Sequence, residues 1–157
     1  MKRKDKEFLI KFCQAVSRHR VFGDDGMYPV AFDGNCGIFA VKMLEFLDSH
    51  NFPFDDWKIG FILLDADSLD EIYDDEDNLD GPRLNHVLMK LDGEYFDGDG
   101  QANPSKWRGK LFDKDDDWAE IVQIVRDFTP MTANEAQMDK ILRIEWKRLG
   151  GDKLYPR

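Results

Sequence analysis

Phe8, Leu9, Phe12, Cys13 and Val16 recur at three- and four-residue intervals, which predicts an amphipathic helix over 5–18 with Cys13 on its buried stripe. A second run, Ile38, Phe39, Ala40, Val41, Met43, Leu44, Phe46 and Leu47, leaves only Lys42, Glu45 and Asp48 as a thin polar strip. A helix over 36–48 therefore lies mostly inside the fold, with Asn35 as its N-cap and Asn51 and Pro53 signalling its end. Trp57–Leu64 has the length and apolar continuity of a buried strand. Residues 86–91 and 94–97 are two short strands joined by Asp92-Gly93, the dipeptide that suits a two-residue hairpin turn, and Gly98 and Gly100 end the second. Two closing helices are expected over 118–128 and 132–149, the latter stopped by Gly150-Gly151.

The connections differ in character. Residues 21–33, rich in Gly, Asp and aromatics around Pro29, form an ordered loop leading to the second helix. Residues 65–80, densest in charge at Asp74-Asp75-Glu76-Asp77, form a solvated acidic loop. The segment 101–117, with Pro104, Trp107 and Gly109, matches neither period and is assigned to no element. His19 and His50 fall at helix ends, where capping of C-terminal carbonyls is expected, and the dispersed Trp57, Trp107, Trp118 and Trp146 belong to the core or its rim.

A chain of 157 residues with 42% apolar and 34% charged residues suits one soluble domain. Its formal charge of −10 disfavours direct nucleic-acid or anionic-membrane binding and would attract a basic protein surface. No apolar stretch approaches the roughly 20 residues of a membrane span. The basic Met1-Lys2-Arg3-Lys4 start leads into no secretion signal, and two cysteines make no disulfide framework. A reducing, cytoplasmic setting is expected.

Cys36 and His86 carry the chemistry. A thiol attacks as its thiolate, and an ordinary cysteine is mostly protonated at neutral pH. Cys36 opens a helix, where unpaired N–H groups and the macrodipole favour the anion; a nearby imidazolium would favour it further. If Asp92-Gly93 is the turn, Leu91 faces Glu94, Met89 faces Phe96, Leu88 faces Asp97 and His86 faces Asp99. His86, Asp97 and Asp99 then share a face, and either aspartate can orient the imidazole. Asp97 is favoured, since Asp99 lies between two glycines as turn residues do. The backbone N–H of Cys36 is one oxyanion donor, and Asn35, after Asp33-Gly34, is the nearest candidate for a second. Singly, Cys36 would be read as a packing residue; its order with His86 and Asp97 points to a Cys-His-Asp triad. Calcium is not indicated, because a loop starting at Glu76 puts Val87 where a bidentate glutamate belongs. Cys36 with His86 alone lacks the ligand count of zinc, and no cofactor is expected.

From Asp33 to Gly100 the chain resembles the papain-like and transglutaminase-like superfamily, in which a cysteine opens a central helix and histidine and aspartate follow on adjacent antiparallel strands. The segment from His86 to Asp97 is particularly similar to the transglutaminase-like and arylamine acetyltransferase pattern. Asp33-Gly34-Asn35-Cys36 also resembles the nucleophile motif of ovarian-tumour-domain deubiquitinases, though their histidine lies farther along. Asn35-Cys36-Gly37-Ile38-Phe39 resembles adenain-type SUMO proteases, in which the histidine precedes the cysteine. The superfamily resemblance implies an α+β fold, a Cys-bearing helix packed on a small antiparallel sheet, with Cys36 as nucleophile, His86 as base and Asp97 as third member. It also implies a hydrolase or acyl transferase acting on an amide, isopeptide or thioester in a peptide, protein conjugate or small acyl donor. The rival is a small acidic binding or inhibitor protein, mimicking nucleic-acid charge or blocking a basic surface, with an idle triad.

Overall fold

The protein is described here by a computed structural model covering residues 1–21, 28–29, 36–73, 83–128 and 135–157. Helix α1 (Arg3–Ser17) is followed by a two-stranded antiparallel ribbon, β1 (Arg20–Val21) and β2 (Tyr28–Pro29), where sequence predicted only loop. Helix α2 (Cys36–Ser49) leads to β3 (Trp57–Leu64), which spans the predicted strand. A 3₁₀ turn, Leu69–Tyr73, interrupts the expected acidic loop, and the Asp74–Asp77 run and most of the rejected calcium loop lie outside the described residues. Strands β4 (Arg83–Leu91), β5 (Glu94–Asp97) and β6 (Gly100–Gln101), a 3₁₀ turn (Pro104–Lys106) and β7 (Lys110–Lys114) follow. Helices α3 (Trp118–Phe128), α4 (Glu135–Arg148) and α5 (Gly151–Leu154) close the chain. The last corrects the Gly150-Gly151 stop: Gly150, at φ 83°, ends α4, and the chain resumes a helical turn at once.

The class is α+β. Strands β3 to β7 form one antiparallel sheet in the order β6-β5-β4-β3-β7. Ile59, Phe61, Leu63, Val87, Met89, Leu91 and Phe96 join the core with Leu9, Phe12, Met43, Leu47 and Trp146 from the helices. The nine buried residues of α2 run from Gly37 to Leu47, with Glu45 and Asp48 exposed, as its thin polar strip requires. Asp117 caps α3, its Oδ1 accepting from the Glu120 N–H at 3.0 Å. Met138, Ile141, Leu142, Glu145 and Trp146 are the buried stripe of α4.

The β4–β5 turn has Asp92 at φ 49° and Gly93 at φ 85°, left-handed values that Asp-Gly accommodates. Leu91 pairs with Glu94 and Met89 with Phe96 as expected. The ladder then stops, and the predicted His86–Asp99 pairing does not form: Gly98 and Asp99 make a second tight turn, with Asp97 opposite Gly100. His50 caps α2, its Nδ1 donating to the Phe46 carbonyl at 2.8 Å. His19 departs from the capping expectation, with Nε2 2.7 Å from a Glu145 carboxylate oxygen. No helix among the described residues is long and apolar enough to cross a membrane.

Candidate active site

Two interruptions of regular structure bring the site together. Ile62 pairs with His86 and Leu63 with Leu84, so Asn85 is an extra residue, a bulge that re-aims the side chain beside it. The Asn85 amide donates to the Arg108 carbonyl at 2.8 Å, tying the bulge to the segment crossing towards β7. Trp107, next to that anchor, stacks on the His86 ring with centroids 3.7 Å apart and planes 15° from parallel. The crossing is held close by Gly109, whose φ of 121° suits glycine, and where a Cβ would lie 2.5 Å from the Leu63 carbonyl oxygen.

His86 is 4% exposed and Asp97 7%. The imidazole Nε2–H donates to Asp97 Oδ2 at 3.0 Å. Asp97 Oδ1 accepts the Asp99 N–H at 2.9 Å, so both carboxylate oxygens are engaged. Helix α1 fixes the same turn from below: Ser17 donates to the Gly98 carbonyl and Gln14 to the Asp99 carbonyl. Of the two candidate aspartates, Asp97 meets the histidine, and Asp99 is exposed and serves the turn.

Cys36 is half-buried at the first position of α2, and its side chain lies close enough to the His86 ring to favour the ring's charged form. With Nε2 turned to Asp97, Nδ1 is the nitrogen left for sulfur. Burial opposes a charge on His86, but hydrogen bonds to Asp97 and Cys36 and the charges of both groups outweigh it, raising the ring from 6.5 to about 9. The ring is therefore a protonated partner at neutral pH. The first-turn N–H groups of α2 have no intrahelical acceptors, which leaves donors beside the sulfur. Asp33, Gly34 and Asn35, with the expected cap and second oxyanion donor, lie outside the described residues.

Cys13 is fully buried, and burial, aided by the nearby charge of Asp97, pushes its thiol far above the usual range. It stays protonated and inert, in keeping with a packing role. Trp107 was read from sequence as core or rim; its aromatic side chain in a stretch without period was the available signal. Among the described residues no group of three His, Cys, Asp or Glu side chains is placed to hold a metal ion. Comparison of the chain with protein-family models, with curated proteins and with solved structures gave no match.

Proposed function

We propose that the protein is a cysteine-dependent hydrolase or acyl transferase of papain-like or transglutaminase-like build. The observation that carries this reading is a buried imidazole hydrogen-bonded to the Asp97 carboxylate and placed close to the Cys36 thiol at a helix N-terminus. Its substrate is an amide, isopeptide or thioester. The site acts through the Cys36 sulfur beside a His86 imidazolium, which Asp97 orients and balances. The thiolate attacks the carbonyl carbon, forming a C–S bond and an oxyanion that the N–H groups opening α2 stabilise. Collapse expels the leaving group, which takes its proton from His86, and leaves an acyl thioester on Cys36. Neutral His86 then removes a proton from water or an acceptor amine, whose attack frees the acyl group and regenerates the thiolate. A thiolate nucleophile suits a reducing compartment such as the cytoplasm, and both cysteines are free thiols.

Alkylation by iodoacetamide against pH, read at each cysteine by mass spectrometry in wild type and His86→Ala, tests the pair. Cys36 is expected to be labelled in wild type and to lose that reactivity without His86, while buried Cys13 stays unlabelled in the folded protein. Free-thiol behaviour of Cys36 in both proteins removes the enzyme reading. The formal charge of −10 then favours the acidic binding protein, which would keep its function in Cys36→Ser.

A further inference from the structure

At the other end of α2 from the thiol lies a recess of about 220 Å³ lined by Leu44, Glu45, Asp48, Phe54, Trp57 and Trp118. Ligand pockets for drug-sized molecules run from about 300 Å³ upward, so this one is sized for a single side chain. Its walls are aromatic. Trp57, opening β3, and Trp118, opening α3, meet edge to face, centroids 5.3 Å apart and planes at 87°, making a corner between two π surfaces. Both indoles and Phe54 are half-buried, and Leu44, 4% exposed, closes the floor.

Its rim is acidic, and neither carboxylate is in a salt bridge among the described residues. Leu44 and Asp48 are four residues apart and Glu45 and Asp48 three, so α2 presents them on one face. Asp48 lies in the last turn of α2, where the helix dipole repels a carboxylate, and that turn holds no basic residue. Among the described residues Asp48 has no cationic partner. Arg126, close enough to feel the charge of Glu45, spends its guanidinium on two 3.0 Å hydrogen bonds to Glu135. Aromatic faces plus carboxylates outside any salt bridge are the chemistry that recognises an organic cation: the rings attract it through their quadrupoles and the carboxylates through its charge.

We propose that this recess binds the alkylammonium side chain of a lysine, plain or methylated, on a basic polypeptide. Its role in substrate docking rests on the thiol reading; binding of the cation does not. From Cys36, Leu44 and Asp48 lie about 12 and 18 Å along α2 at 1.5 Å per residue. An extended chain rises about 3.3 Å per residue, which places the docked lysine about four or five residues from the acyl group attacked by Cys36. On the thiol reading, a recess at that distance suits a polypeptide substrate long enough to reach both.

The test is a titration of ¹⁵N-labelled Cys36→Ala protein, read on the indole N–H signals of Trp57 and Trp118. The probes are Nα-acetyl-lysine N-methylamide, its ε-trimethyl form, and the neutral norleucine analogue. Saturable shifts with both cations, at least about tenfold weaker with norleucine and in Glu45→Gln/Asp48→Asn, are expected. Equal binding of norleucine would show an apolar crevice, and overturns the proposal, as does absence of saturation or unchanged affinity in the double variant. The exposed positions of Glu45 and Asp48 make loss of folding no explanation for a weakened response. Because the titrated protein lacks the thiol, failure of the enzyme reading leaves this result intact, and the reverse also holds.

Discussion

Replacing Asp97 by Asn removes a charge while keeping the shape of the side chain, and the structure states what that does. Asp97 accepts two hydrogen bonds, one oxygen taking the His86 Nε2–H at 3.0 Å and the other the Asp99 N–H at 2.9 Å. An amide has one acceptor oxygen, so its NH₂ must confront one of those two donors. The rise of His86 from 6.5 to about 9 amounts to about 3 kcal/mol in favour of the protonated ring at about 1.4 kcal/mol per tenfold. Asp97 supplies a large part of that against the cost of burial. In Asp97→Asn the ring is expected to titrate at least about one pH unit lower, the scale on which a neighbouring opposite charge acts. Proton NMR of the His86 ring gives that value directly. Iodoacetamide labelling of Cys36 should slow in parallel above about pH 8, where the imidazolium that favours the thiolate is depopulated first in the variant. Stability carries the same signature. A group raised in the folded state stabilises fully below its unfolded value of about 6.5, and that contribution is lost as pH rises through about 9. Wild-type stability should therefore fall between those limits, and the fall should flatten in the variant. A His86 that titrates equally high in both proteins would refute the account of its charge.

Two further substitutions probe what holds the site. Trp107→Ala removes the indole stacked 3.7 Å from His86; a stability loss of about 1 kcal/mol and faster exchange of the His86 Nε2–H with water are expected, and unchanged exchange would rule out shielding by Trp107. Gly109→Ala places a Cβ 2.5 Å from the Leu63 carbonyl oxygen at a φ of 121°, so its unfolding midpoint should drop by several degrees and Cys36 reactivity should fall with it; a midpoint equal to wild type would contradict the close approach.

The elements legible in the sequence are those whose own residues decide them. The apolar run of α2 is too continuous for a surface helix, Trp57–Leu64 has strand length, and Asp92-Gly93 takes the left-handed dihedrals that fix the hairpin register. That register placed His86 and Asp97 on neighbouring strands before any coordinates. What escaped was decided elsewhere in the chain. Strand β7 has charged ends and only Leu111 and Phe112 as apolar residues, and pairing with β3 makes it a strand. Asp99 faced His86 on paper because the ladder was extended through Gly98, whereas the chain turns there and β6 begins. The stacking of Trp107 depends on a crossing segment tied down by Asn85 and Gly109, partners that no local period encodes. His19 finds Glu145, distant in sequence, instead of its own helix end.

The anchoring of the Gly98-Asp99 turn by Gln14 and Ser17 of α1 bears on the order in which the candidate site is assembled. During synthesis α1 and the thiol of Cys36 emerge first, and Asp97 follows about 60 residues later, a delay of about 3–12 s at 5–20 residues per second. Through that interval the cysteine has neither a placed His86 nor Asp97 beside it. Only when the turn after β5 closes onto the waiting helix is His86 braced on both sides. On the proposed enzyme reading, a truncated or stalled chain ending before β5 carries Cys36 without the turn that positions its partners, and reactivity is granted by the completed fold.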